Sequence, residues 1–279
     1  MLRSGWNSHR VVHEGGVVRA VQLTDAHLCQ SRGGTLLGMD TDRSLQAVID
    51  LVKRERPAID LVLATGDLSD RGAREAYQRL PDYFGQLGAA DFWLPGNHDE
   101  RAQMEAVVAG TPRLSDEILV SRWQILMLDS QVPGEVGGCL GCEELARLDE
   151  ALQRAREADL HSLVCLHHHP VVTGCDWLDQ QIVADADAFF GVLDRYDGVR
   201  GVLWGHIHQQ VERDRQGVAL LGSPSTCVQF APGSADFLAD DLPPGYRWLD
   251  LHPDGTLESG VSRAWGVPFA VNLEACGYL

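Results

Sequence analysis

Apolar runs that stop abruptly in polar residues set the rhythm of this chain. Residues 17–23 are apolar-rich with high β propensity, and polarity rises sharply at Thr24-Asp25-Ala26-His27. Leu45, Val48, Ile49 and Val52 then recur at helical spacing behind Thr41 or Asp42 as N-cap, and Pro57 closes that helix. Leu61–Thr65 is a short continuous apolar run, the pattern of a strand covered on both faces, and it ends in Gly66-Asp67. Ala76, Tyr77, Leu80, Phe84 and Leu87 share one face of a second helix, and a strand over 91–94 runs into Pro95-Gly96-Asn97-His98-Asp99. The alternation of strand and helix predicts parallel strands joined by crossover helices.

The second half repeats the scheme. A strand is expected over 122–129, an amphipathic helix over 143–158 with Leu145, Leu148 and Leu152 inward, and a strand over 162–166 that runs into His167-His168-His169-Pro170. A helix over 184–196 and a strand over 201–204 follow, ending in Gly205-His206-Ile207-His208. Beyond this the spacing shortens. Strands over 218–221, 247–251 and 256–259 are separated by turn residues, Pro253-Asp254-Gly255 among them, so the tail is expected to supply antiparallel strands that finish a second sheet. No internal repeat or linker interrupts the chain. It reads as one α/β domain over residues 17–265, with an N-terminal extension (1–16) and a C-terminal tail (266–279).

Length and composition fit that picture: 279 residues, 44% of them hydrophobic, suffice for one large domain with a buried core. The formal net charge of −17 repels nucleic-acid polymers and anionic membranes, so a phosphate-bearing substrate would have to be small and its charge offset locally. No apolar run is long enough to span a membrane and no export signal is visible, which leads to the expectation of a cytoplasmic protein. Seven cysteines, an odd number, suggest reduced thiols, and the lone Cys139-x-x-Cys142 has no second pair at zinc-site spacing.

Five polar clusters each follow a predicted strand: Asp25-x-His27, Gly66-Asp67, Asn97-His98-Asp99, the histidine run 167–169, and His206-x-His208. Ligands of α/β sheets bind at the carboxyl ends of strands, so clusters distant in sequence can converge there. Carboxylate, amide oxygen and imidazole are ligands for Fe, Mn and Zn, and an Asp shared by two ions holds them about 3.5–4 Å apart for phosphoryl chemistry. Singly, each cluster is equally an ordinary turn; in this order they are not.

That order resembles the calcineurin-like metallophosphoesterase family. The segments Leu23-Thr24-Asp25-Ala26-His27-Leu28, Ala64-Thr65-Gly66-Asp67-Leu68, His167-His168-His169-Pro170 with Gly174-Cys175-Asp176-Trp177-Leu178-Asp179, and Ser223-Pro224-Ser225-Thr226-Cys227-Val228-Gln229-Phe230 are similar to those of its bacterial class III 3',5'-cyclic AMP phosphodiesterases. The resemblance implies two packed mixed β-sheets flanked by helices, an αββα sandwich, holding two divalent metal ions. It implies that Asp25, His27 and His208 hold one ion, that Asn97, His206 and a histidine of the run hold the other, and that Asp67 bridges. Within the run, the family's His-x-Pro spacing favours His168, with His167 as the alternative. His98 is implied to contact the phosphate and protonate the leaving oxygen, with Asp99 orienting it, and His27, Asp67, Asn97 and His208 also border the substrate.

The implied reaction is hydrolysis of cyclic AMP to 5'-AMP by a metal-bridging hydroxide, in a monomer or homodimer. The same chemistry serves glycerophosphodiesters, 2',3'-cyclic nucleotides and sugar nucleotides, and a degraded site on this fold can act as a binding scaffold. The intact Asn97-His98 argues against a scaffold. For base or phosphate contacts, Ser225, Thr226 and Gln229 are candidates, and Phe230, Trp177 or Trp204 for stacking.

Overall fold

A computed structural model of the chain describes residues 6–277. In chain order the strands and helices of the first half are β1 (Ser8–Val11), β2 (Val18–Leu23), the ribbon β3 (Thr35–Leu36) and β4 (Met39–Asp40), α1 (Thr41–Glu55), β5 (Leu61–Thr65), α2 (Arg74–Phe84), β6 (Ala90–Leu94), α3 (Arg101–Val108), β7 (Glu117–Val120) and β8 (Trp123–Met127). The second half contributes α4 (Gly141–Glu157), β9 (His161–Cys165), the single turn α5 (Asp176–Asp179), α6 (Ala186–Leu193), β10 (Val199–Trp204), β11 (Val211–Arg215), β12 (Val218–Gly222), the ribbon β13 (Gln229–Phe230) and β14 (Ala239–Asp240), β15 (Gly245–Leu251) and β16 (Leu257–Arg263).

Two mixed sheets result, in the orders β16-β15-β2-β5-β6 and β1-β7-β8-β9-β10-β12-β11. Strands β2, β5 and β6 are parallel, as are β8, β9 and β10. Period-2 alternation assigns their faces. Val18 and Ala20, Leu61 and Leu63, and Phe92 and Leu94 meet Ile125, Leu163 and Leu203 of the other sheet in a core between the sheets. The alternate residues Val21, Leu23, Val62, Ala64 and Trp93 pack under α1 and α2. On the far side, Val164 and Val202 pack with Leu148 and Leu152 of α4 and Phe189 of α6. This is the expected αββα sandwich. Among the described residues no helix is long and apolar enough to cross a membrane.

Three expectations change. The N-cap of α1 is Asp40, whose carboxylate accepts from the Arg43 amide at 2.9 Å. Thr41 and Asp42 are occupied elsewhere: the Thr41 hydroxyl accepts from the Cys29 amide, and Asp42 accepts from Arg79 and Tyr83. The tail strands do not finish one sheet together. Strand β12 lies parallel to β10, whereas β15 and β16 form a hairpin that joins the first sheet, β15 running antiparallel to β2. Finally, β1 lies inside the stretch expected to be an extension, yet it pairs with β7 at the edge of the second sheet.

Candidate metal centre

The carboxyl ends of β2, β5 and β6 in one sheet and of β9 and β10 in the other open at the same edge of the sandwich, and the five polar loops leave from there. The first two are zipped together by backbone bonds, Asp25 N to Gly66 O (3.0 Å) and His27 N to Asp67 O (2.9 Å). Below them Gln22, a polar residue inside an apolar strand, joins the sheets by donating to the Thr65 hydroxyl (2.7 Å) and the Trp204 carbonyl (3.1 Å). Asp25, His27, Asp67, His206 and His208 all have positive φ, between 43° and 65°. A left-handed conformation costs a non-glycine residue about 1–3 kcal/mol, and such strain persists where the surroundings over-determine it, as at functional sites. Close approach fixes the neighbours: a Cβ on Gly96 would sit 2.2 Å from Asp67 Oδ1, and one on Gly205 would sit 2.6 Å from Asp25 Oδ2.

The side chains converge in two overlapping groups. Asp25 Oδ1 lies 3.3 Å from His208 Nε2, which lies 3.3 Å from His27 Nε2, itself 3.7 Å from Asp67 Oδ2. On the other side, Asp67 Oδ2 lies 3.2 Å from His167 Nε2, and Asn97 Oδ1 lies 3.2 Å from that atom and 3.0 Å from His206 Nδ1. Asp67 belongs to both groups. The clusters Asp25–His27–His208 and Asp25–Asp67–His167 are each compact enough for one ion.

Several of these imidazoles are held from behind by carbonyl groups, as imidazoles that bind metals commonly are. His167 Nδ1 faces the Thr65 carbonyl at 2.9 Å and His208 Nδ1 the Val228 carbonyl at 2.7 Å, while Phe230 stacks on the His208 ring at 4.1 Å. Both candidate histidines of the run lie in one compact group, His167–His168–His206, and their partners differ. His168 has both ring nitrogens engaged, Nδ1 with the Ser130 hydroxyl (2.8 Å) and Nε2 with the Val136 carbonyl (3.0 Å), whereas His167 Nε2 faces Asp67 and Asn97. Its neighbour His169 is buried against His206, their rings stacked at 5.7 Å.

Asp25 and Asp67 are fully buried, and among the described residues their ion-pair partners are imidazoles, with no Lys or Arg. Burial alone would raise the Asp67 carboxyl, but the imidazoles of His167, His98 and His27 outweigh it and hold it well below the usual range. Burial pulls the His27 and His206 pKa values well down, so both rings are neutral near pH 7, the state in which imidazole binds a metal. Paired buried carboxylates amid imidazoles, all oxygen and nitrogen donors, fit divalent cations of the Fe, Mn and Zn class, which would displace the proton that, against burial, the Asp67 and Asp25 charges hold on His167 up to about 9.

His98 borders the same space, its ring 4.8 Å from that of His27. Its Nδ1 faces the Asp70 carbonyl at 2.8 Å. Asp99 differs from expectation. Its oxygens accept from the amides of Leu68, Ser69 and Gly96 and from the Tyr77 hydroxyl, so it ties the Asp67 loop to the Asn97 loop instead of orienting the His98 ring. Burial and the nearby Asp67 charge push its pKa up to about 6.

The Ser223–Phe230 segment is likewise used internally. Ser225 Oγ donates to the Asp25 carbonyl, Thr226 Oγ1 to the Thr24 carbonyl, and Gln229 Nε2 to the Ser225 and Cys227 carbonyls. Of the aromatic candidates, Trp204 is core, and Trp177 packs edge-on against Phe230. Sequence reasoning missed Asp70, Ser130 and Gln131. Gln131 Nε2 donates to the carbonyls of both Gly96 and Asp99, closing the Asn97-His98 loop from outside. No motif marks these three residues.

The sequence matches the calcineurin-like phosphoesterase family over residues 18–210. It is 48% identical over 261 residues to the 3',5'-cyclic adenosine monophosphate phosphodiesterase CpdA of Pseudomonas aeruginosa, covering 94% of this chain and 95% of the relative. It is 40% identical to CpdA of Escherichia coli K12 over 94% of this chain and 95% of that one. Among solved structures, a dimetal phosphatase from Danio rerio superposes with a TM-score of 0.56 at 16% identity, covering 89% of this chain and 99% of the other, which reflects a shared fold.

Proposed function

The chain belongs to the calcineurin-like phosphoesterase family, and from that premise we propose that it is a metal-dependent 3',5'-cyclic nucleotide phosphodiesterase that converts cyclic AMP to 5'-AMP. The observation that carries the proposal is the pair of buried carboxylates, Asp25 and Asp67, ringed by imidazoles at the shared edge of both sheets. The ligand assignment is part of the proposal: Asp25, His27 and His208 for one cation, Asn97, His167 and His206 for the other, Asp67 for both. Two divalent cations held there supply positive charge to the phosphate oxygens and lower the pKa of a water to about 7. Metal analysis of the purified protein distinguishes Fe, Mn and Zn, all of which suit these donors.

The chain's own residues supply orientation and the proton. The leaving ribose 3'-oxygen departs poorly as an alkoxide and needs an acid. A carbonyl only accepts, so His98 Nδ1 carries a proton towards Asp70 O, and the transferable proton is the one at Nε2. The backbone amide of His98 also donates to Asp67 Oδ1 at 2.8 Å, which fixes the acid relative to the shared ligand. Asp99, Tyr77 and Gln131 keep the loop in place. The seven cysteines are all free, which supports a reducing, cytoplasmic setting.

The test is His98→Ala with metal analysis and kinetics on cyclic AMP, cyclic GMP, a glycerophosphodiester and a simple monoester. Turnover of the cyclic nucleotide should fall by about 10²–10⁴-fold with both metals retained, the range for loss of a general acid. Loss of the metals in that variant would refute the assigned role, and preference for another ester in the wild type would refute the substrate.

A further inference from the structure

The segment Gly174-Cys175-Asp176-Trp177-Leu178-Asp179 carries part of the family resemblance but supplies none of the proposed ligands. Its chain is pinned at both ends. Asp179 accepts from the Thr173 amide (2.6 Å), the Thr173 hydroxyl (2.9 Å) and the Gly174 amide (2.9 Å). Cys175 Sγ lies 3.2 Å from Ser234 Oγ, the Asp176 amide donates to the Ser234 carbonyl (3.1 Å), and the Trp177 indole donates to Ser234 Oγ (3.3 Å). These bonds tie the single turn α5 to the loop between β13 and β14 and fix the Trp177 ring.

That ring meets Phe230 edge-on, with centroids 5.1 Å apart and planes at 72°. Phe237 closes the group, 5.3 Å from Trp177 and 5.5 Å from Phe230. Edge-to-face pairs at such separations are favourable beyond the area they bury. Phe230 in turn lies flat on the His208 ring, 4.1 Å away and 7° from parallel. The Val228 carbonyl fixes only the direction of His208 Nδ1, and the imidazole can still tilt about that bond. A flat ring on its face removes the tilt and keeps Nε2 beside Asp25. The strand that carries Phe230 gives little support of its own. Strands β13 and β14 form a separate ribbon of two residues each, and short two-stranded ribbons are marginal in water. The position of Phe230 therefore depends on the aromatic rings behind it.

We propose that Trp177 is a positioning residue for the cation that His208 binds, acting through Phe230. The proposal rests on the ligand assignment above and extends it to the aromatic group behind one of its imidazoles.

Calorimetric titration of the metal-free protein with Mn²⁺ tests this in the wild type, Trp177→Leu, Trp177→Phe, Phe230→Leu and two reference variants. His208→Ala marks which of the two binding events depends on that ring. Leu145→Ala trims the same apolar core on α4 and shows what loss of packing alone does. In Trp177→Leu the marked event should weaken roughly 2–10-fold, the worth of one aromatic pair. In Phe230→Leu it should weaken about tenfold or more, the usual cost of losing a group that orients a metal-binding histidine. Trp177→Phe keeps a ring against Phe230 and should stay within about twofold of wild type. Leu145→Ala should lower the melting temperature of the metal-free protein and leave both events in place. Equal Mn²⁺ affinity in Trp177→Leu and wild type, a weakening confined to the other event, or the same weakening in Leu145→Ala overturns the proposal and leaves the dinuclear reading intact. A wild type that takes up neither Mn²⁺ nor Zn²⁺, the second ion being used where the first does not bind, overturns both. Should Phe230→Leu fail to fold, Trp177→Leu decides, since that side chain is only partly buried.

Discussion

Asp99 gathers three backbone amides and a phenol onto one buried carboxylate, and a neutral amide of the same shape could not do the same. In Asp99→Asn the side-chain NH₂ would face amide donors, leaving at least one of them unsatisfied. Urea denaturation should show a loss of roughly 1–3 kcal/mol. The metal content of the purified variant should also fall, because the Gly66-Asp67 and Gly96-Asn97 loops would no longer be tied. Tyr77→Phe removes only the phenol's bonds to Asp99 and to the Glu100 amide and should cost about 1 kcal/mol with metals retained. Equal stability and metal content in Asp99→Asn and wild type would show that the ties are incidental. The residue scale is also where the sequence reads least well. His167 and His168 are chemically identical neighbours, and only the partners that fold around them, the Thr65 carbonyl for one and Ser130 with Val136 for the other, separate the proposed ligand from its occupied neighbour.

The sheets and the loops leaving their carboxyl ends could be read from the chain because each strand there is an apolar-rich run that stops at its polar loop. Leu61–Thr65 followed by Gly66-Asp67 is the clearest case. What could not be read was decided by partners far away. The hairpin β15–β16 joins β2 across more than 200 residues, and β1 pairs with a four-residue strand that carries little pattern of its own. Arg247 explains part of the tail's placement. This fully buried residue of β15 crosses between the sheets, donating to the Ser223 hydroxyl (3.0 Å), the Gly222 carbonyl (2.9 Å) and Glu212 (3.0 Å). Removing Arg247 leaves the buried Ser223 hydroxyl and Gly222 carbonyl without this donor, at about 1–3 kcal/mol each, while the half-exposed Glu212 returns to water. Arg247→Ala should therefore lower the urea midpoint sharply, while the fraction that remains folded keeps its turnover, since Arg247 touches none of the proposed ligands. A loss of turnover per folded molecule, with stability unchanged, would move Arg247 into the site's own machinery.

For the whole molecule, the strained loops and buried carboxylates raise the question of what holds them. Five proposed ligands have left-handed backbones, and among the described residues the two buried carboxylates are paired with imidazoles and with no Lys or Arg, so the apo fold carries a cost that bound cations would offset. Anything that binds the folded chain and not the unfolded one stabilises it, by about 2.7 kcal/mol at a free concentration one hundred times Kd. For a domain of this size each kcal/mol moves the melting point by roughly 2–4 °C. Chelation should therefore lower Tm by several degrees, and Mn or Fe should restore both Tm and activity. In Asp67→Asn, whose side chain is shared between both proposed groups, most of that metal-dependent shift should vanish, whereas in His98→Ala it should persist. Differential scanning calorimetry with and without chelator distinguishes these cases. A Tm insensitive to chelation in the wild type would mean that the acidic centre is stable without cations, and the buried carboxylates and strained loops would then be no sign of a dinuclear metal site.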